Sequence, residues 1–435
     1  MWAEQEMGNI DLGDRRRTIR LCEFLNKASQ NFQASVSQLS KDQHTRKAYY
    51  RLIENPKLDK NIVLEEHIKA VQLRAKEHDT VLCIQDTTEL DYSTKSSIKG
   101  LGRLNYEARQ GMYLHPTLMI TPEGVPLGIT DMWSWARKAK DEPDIKESLR
   151  WKEGYERVCE LAEDNPETHY VYIADREGDL HDIIELAEQK QCPADYLIRA
   201  KHSRLLQDGS KLFDITKAEN ILGQIEFTVS SGRGKPSRKA TQTIYSKRVQ
   251  LKSGFWVTII IAKENNPPKG STAVIWRLLS NRIVNELDEA SQLIDWYRQR
   301  WQIEILFNIL KTGCLIEERQ FNSIDKLEKL FLLYLLISYR ILLVTMLSRE
   351  LPDSSCEILF DREEWHVAYK LYYEKKPPTK PPKLKQMVSI IAQLGGHMGR
   401  KGDGDPGVKT IWRGLMQVQT SLHMVNILTK INRVC

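Results

Sequence analysis

TVLCIQD, Thr80 to Asp86, is a short apolar, β-favouring run that ends in a carboxylate, and it reads as a buried strand. HYVYIAD, His169 to Asp175, repeats the pattern and also ends in Asp. Between the two, LHPTLMITPEGVPLGITDMWSWAR reads as two strands joined at Pro122-Glu123-Gly124, followed by a helix from about Glu147. After them, REGDLHDIIELAEQK supplies a helix and ADYLIRAK another strand. Strands alternating with helices predict a mixed or parallel α/β sheet. Both carboxylates would then emerge at the edge of the sheet where such folds keep their sites.

Outward from this core the pattern changes. From about Leu212 to Asn266 the segments QIEFTVS, QTIYSKRVQL and FWVTIIIAK predict an all-β insertion. Its SGRGKPSRKATQTIYSKR run carries Arg233, Lys235, Arg238, Lys239, Lys247 and Arg248 without an acid, which suits either a flexible loop or contact with DNA phosphates. STAVIWRLLSN returns to strand, and a helix begins near Asp288. At the front, LGDRRRTIRLCEFLNKA places Asp14 as an N-cap with Ile19, Leu21, Phe24 and Leu25 on helical spacing. HTRKAYYRLIENP is a second basic helix that stops at Asn55-Pro56. Such helices can lay cations on DNA, though each charge alone suits a solvated face. LFLLYLLISYRILLVTML, Leu330 to Leu347, is long enough for a membrane, but Arg340 near its middle favours a buried helix of a soluble protein. YYEKKPPTKPPKLKQ reads as a stiff arm. The tail is a Gly-rich turn and an amphipathic helix suited to pairing with a second copy.

Composition sets bounds. The 435 residues, 41% of them hydrophobic, allow two or three domains. Basic residues exceed acidic ones by only 64 − 58 = 6, a mild hint of an anionic partner. Seven scattered cysteines without a CxxC pair support neither a disulfide frame nor a zinc site, which suits a reducing cytoplasm. The N-terminus lacks an apolar signal core, and no G-x-x-x-x-G-K-[ST] motif offers an ATP site.

The chemistry converges on YRQRWQIEILFNILK, Tyr297 to Lys311. On a continuous helix at ~100° per residue, Tyr297, Arg300, Glu304 and Lys311 fall within roughly 60° of one another, one polar stripe among apolar neighbours. If Glu304 met Asp86 and Asp175, three carboxylates would repel one another unless divalent cations lay between them, and hard oxygen donors suit Mg²⁺ or Mn²⁺. Taken singly, each acid has an ordinary explanation: a turn or N-cap for either Asp, an ion pair with Arg300 for Glu304.

The combined pattern resembles the DDE transposases of insertion-sequence family four. It consists of Asp86, Asp175 and Glu304 together with Tyr297, two residues, Arg300, three residues, Glu304, six residues and Lys311. LGDRRRTIRL, AYYRLIENP, IQDTTELDY, IADREGDLHDII, RAKHSR, NPPKG, LKTGC, ERQF and LGGHMG extend the likeness over almost the whole chain. The resemblance implies a ribonuclease-H-like α/β catalytic core with the β insertion at about 205–270. An N-terminal helical DNA-binding domain (1–65) and a C-terminal helical dimerisation domain (349–435) would flank a catalytic domain spanning 66–348. It further implies that Asp86, Asp175 and Glu304 hold Mg²⁺, with Mn²⁺ able to substitute, and that Tyr297, Arg300 and Lys311 grip the DNA backbone. Trp276 and Trp301 would stack on a base flipped from the duplex, and Arg199 and Lys201 would lie along the DNA path. The implied partners are double-stranded DNA, as transposon ends and as target, and a second copy in a synaptic dimer, with no membrane and no ATP. Asn308 departs from a family cation on the turn after the acid, and the N-terminus is several residues shorter. A Mg²⁺-dependent nuclease or resolvase, and a catalytically silent DNA-end-binding protein, are the competing readings.

Overall fold

The computed structural model describes residues 2–95, 97–106, 108–138, 146–229, 238–270, 272–400 and 402–431. Arg233 and Lys235, singled out above, lie outside them. The chain opens with helices α1 (Trp2–Met7), α2 (Arg15–Gln30), α3 (Gln43–Glu54) and α4 (Lys60–Ala75). Strands β1 (Thr80–Gln85), β2 (Thr88–Asp91), β3 (Gly102–Arg103), β4 (Gln110–Ile120) and β5 (Pro126–Trp135) follow. Then come α5 (Leu149–Asp164), β6 (His169–Ala174), α6 (His181–Gln189) and β7 (Asp195–Arg199). β8 (Ile221–Val229), β9 (Arg238–Gln250), β10 (Trp256–Glu264) and β11 (Ile275–Ser280) lead to α7 (Leu287–Arg298) and α8 (Trp301–Asn308). The C-terminal part is α9 (Ile324–Glu350), α10 (Arg362–Tyr373), α11 (Leu384–Leu394) and α12 (Val408–Ile431).

Caps explain the helix starts read from sequence: Asp14 accepts from the Arg16 amide, and Asp42 from that of Thr45. Ile19, assigned to the buried stripe of α2, is instead half exposed, while Leu21, Phe24 and Leu25 are fully buried.

All strands join one sheet in the order β2-β4-β1-β6-β7-β11-β10-β9-β8, with β3 and β5 also on β4. The pairs β1–β6 and β6–β7 are parallel, and the other pairs are antiparallel. The β segments expected as an insertion extend the central sheet, because β11 docks antiparallel on β7 and carries β10, β9 and β8 outward. Val81 to Ile84 of β1 are all apolar because both faces of the strand are covered. Val81 and Cys83 pack in the core with α5 and α6, while Leu82 and Ile84 pack in the core that contains α9.

Among the described residues α9 is the one helix long and apolar enough to cross a membrane, and 83% of its most apolar window is buried within the fold. Its Arg340 donates to Ser29 Oγ at 2.9 Å and lies 5.1 Å from the Trp2 ring.

The end of β1 is held from behind by α5. Tyr172 Oη donates to Gln85 Oε1 at 2.7 Å, and Gly154 lets α5 approach so closely that a Cβ there would lie 1.9 Å from Gln85 Nε2. Gln85 is fully buried and cannot swing away. Gly154→Ala is therefore expected to destabilise the fold by about 1–3 kcal/mol, the usual cost of overpacking, read as a lowered denaturant midpoint. An unchanged midpoint would show that β1 is not held by this contact.

Candidate active site

Parallel pairing places the first two acids side by side. Gln85 on β1 is in register with Ala174 on β6, so Asp86 and Asp175 leave adjacent strands at the same end, about 4.8 Å apart between backbones. Asp175 also caps a short 3₁₀ turn, accepting from the Glu177 amide at 2.7 Å, and Asp86 Oδ1 accepts from the Thr87 amide at 2.8 Å. The ordinary turn-and-cap reading and the functional one are therefore both true of the same side chains.

The third acid arrives from the helical side. Arg300 bridges two of the three, with Nη1 donating to Asp86 Oδ2 at 2.7 Å and Nη2 donating to Glu304 Oε1. Burial pushes the Asp86 carboxyl up to about 7; Arg300 pulls against this, while Asp175 and Glu304 push the same way as burial. Its charged form is thus penalised even with a guanidinium attached.

Three hard carboxylates against the single guanidinium bonded to them fit a divalent cation in chemistry. As they stand, however, no three His, Cys, Asp or Glu among the described residues are gathered tightly enough to hold one.

The polar stripe is built differently from the continuous helix expected. α7 stops at Arg298, α8 starts at Trp301, and a π-helical turn, Ile309–Gly313, follows. Tyr297, Arg300 and Glu304 still converge. Tyr297 is 6% exposed, and Arg300, Arg199 and Asp175 all act on its phenol, whose pKa burial raises. Its hydroxyl makes no hydrogen bond of good geometry. Lys311 lies within the π turn, where Glu317, Glu89 and Asp91 act on its ammonium.

Arg199 ends β7 and reaches toward Tyr297. Lys201 follows it and acts on Glu177, next to Asp175. Trp276 on β11 is half buried, its ring 5.5 Å from Phe227 and 5.2 Å from the Arg298 guanidinium. Trp301 is 62% exposed, with Arg300 lying 5.6 Å from its ring.

Some contributors were not singled out in the sequence. Asp179 accepts from the amides of Lys201 and His202 at 2.6 and 2.9 Å and pairs with Arg204 at 2.5 Å, which fixes the loop after Arg199. Thr87 Oγ1 and His115 Nδ1 are 2.8 Å apart beside Asp86. The second Asp of DREGD was the visible signal for the first; nothing local marked the other.

Residues 1–58 match the family described as transposase DNA-binding, 152–340 the transposase DDE domain, and 336–426 the transposase Tn5 dimerisation domain. The chain carries Tn5-type transposase domains. The matches thus give the chain a DNA-binding domain, a DDE domain and a dimerisation domain, each of transposase type. The DDE match includes Asp175 and Glu304 and begins after Asp86. A cryo-EM structure of a piggyBac transposase synaptic complex with hairpin DNA is similar at 10% identity and a TM-score of 0.38, covering 95% of this chain and 73% of that one. That overlap is too loose to align any residue.

The raised Asp86 pKa has a consequence for stability. The folded chain holds this proton up to about pH 7, whereas an unfolded Asp releases it near 4, so folding stability falls as pH rises across that interval. Asp86→Asn mimics the protonated form. It is expected to raise the melting temperature at pH 8 and to lose that advantage near pH 4, checked by calorimetry at both values; a lower melting temperature at pH 8 would contradict the assignment.

Proposed function

We propose that the chain is a cut-and-paste transposase that binds transposon ends, cleaves them through a hairpin intermediate and joins the 3′ ends to target DNA. The observation that carries this reading is Arg300 bridging Asp86 and Glu304, with Asp175 at the end of the adjacent strand, in a chain with transposase domains. Two divalent cations, Mg²⁺ or Mn²⁺ in its place, held by Asp86, Asp175 and Glu304, would activate the attacking oxygen and stabilise the leaving one.

The chain's residues do the rest. Asp86, Asp175 and Glu304 present carboxylate oxygens from two strand ends and one helix. Tyr297, Arg300 and Lys311 grip backbone phosphates beside the scissile bond, and Arg199 and Lys201 extend that track. Trp301 offers an exposed ring, and Trp276 a half-buried one, to an unstacked base, a contact worth about 1–3 kcal/mol. Water cuts the first strand and exposes a 3′ hydroxyl, which attacks the opposite strand to form the hairpin and release the flanking DNA. A second water opens the hairpin and restores the 3′ hydroxyl, which then attacks target DNA. Each step is an in-line displacement at phosphorus, so one set of acids serves all of them and no ATP is required. The organisation we assign is a DNA-binding part at 1–65, a ribonuclease-H-like catalytic part at 66–348 and a dimerising part at 349–435. The dimer acts as a synaptic complex in the cytoplasm, on the nucleoid.

The Arg300 bridge also suits a second reading, a catalytically silent end-binding copy whose acids are occupied by their own arginine. A supercoiled plasmid carrying the gene with its flanking DNA, incubated with protein and Mg²⁺, separates the readings. The proposal expects excised element, joining of pre-cut 3′ ends to a target, and loss of both by on the order of a thousandfold in Asp175→Asn. Cutting without joining would indicate a nuclease, and binding without either would indicate the silent copy.

A further inference from the structure

Arg300 is doubly committed. Nη1 donates to Asp86 and Nη2 to Glu304, and the side chain is only 12% exposed. The other cations near the site are engaged elsewhere. Arg199 acts on the Tyr297 phenol, Lys201 on Glu177, and Lys311 on Glu317, Glu89 and Asp91. The positive charge bonded between the two acids is therefore this guanidinium, and those donors would also be the ones to meet a phosphate.

We propose that Arg300 is a resident counter-ion. It fills the electrostatic place of a divalent cation between Asp86 and Glu304, and yields it when a DNA phosphate draws the guanidinium away. The inference rests on the reading of the three acids as metal-holding residues and adds a competitor to that site. A guanidinium placed between carboxylates lowers their affinity for any other cation, because entry of the ion must break both charge-assisted hydrogen bonds. A phosphate that captures Arg300 removes the competitor, so by linkage DNA and metal each strengthen the other's binding. In the DNA-free chain the acids stay neutralised from within, and the fold is spared a buried, uncompensated cluster of negative charge. Cleavage is thereby confined to protein with DNA already seated.

The test is Mn²⁺ binding to the full-length, DNA-free protein, followed by electron paramagnetic resonance of the free ion. Measuring at pH 8 keeps protonation of Asp86, which sits near 7, from masking the result. Arg300→Gln, which retains donors but not charge, is expected to bind Mn²⁺ at least about tenfold more tightly than the parent, or 1.4 kcal/mol. Asp175→Asn placed on top should erase the gain, which locates the ion at the acids. Arg300→Lys, with a single point charge, should fall between parent and Gln variant and serves where the Gln variant folds poorly. If Arg300→Gln bound Mn²⁺ equally or more weakly while folded, the arginine would be a scaffold for the acids, and the counter-ion role would fall alone. If the DNA-free parent and both variants failed to bind Mn²⁺ at all, the metal-holding reading would fall with it.

Discussion

The site depends on parallel pairing of β1 and β6 in one register. Because Gln85 stands opposite Ala174, the next residue of each strand is an Asp, and the two carboxylates must share one edge of the sheet. A shift by one residue would turn the strand faces over and drive Val81 and Cys83 out of one core and Leu82 and Ile84 out of the other. Hydrophobic burial on both faces thus fixes the position of two charges that would otherwise avoid each other. Gly154 and Tyr172 lock Gln85 from the α5 side, so the carboxylates sit on rigid strand ends rather than on a mobile loop.

Electrostatics then shapes what surrounds them. Burial raises the free energy of the ionised Asp86, and its acidic neighbours raise it further. The chain answers with Arg300 at the junction between α7 and α8, where the helix breaks and redirects the guanidinium across to β1. Lys311, within a π-helical turn, stands near Glu317 and the β2 acids Glu89 and Asp91. Tyr297 and Arg199 close the other flank.

Much of this was legible in the sequence. TVLCIQD and HYVYIAD end in acids that do emerge together, and the order of strands and helices through β11 follows the apolar runs. Asp14, Arg300 and Glu304 behave as their spacing suggests. What stayed hidden has definite causes. No Pro or Gly marks the break after Arg298, so helical periodicity read one continuous helix where the chain has separate segments. Strand propensity in β8 to β10 could not show that the insertion extends the central sheet, because the edge pairing of β7 with β11 is a long-range choice. Phe227 and Arg298 lie far apart in sequence, and only the fold brings both against Trp276.

We propose that Asp86, Asp175 and Glu304 hold the catalytic divalent cations when DNA is bound. Iron-mediated hydroxyl-radical cleavage, with Fe²⁺ replacing Mg²⁺ in the protein bound to its element ends, reads this directly. Peptide-backbone cuts clustered at Asp86, Asp175 and Glu304, suppressed by excess Mg²⁺, are the predicted result. Cuts confined to other parts of the chain, or sparing any one of the three, would contradict the account.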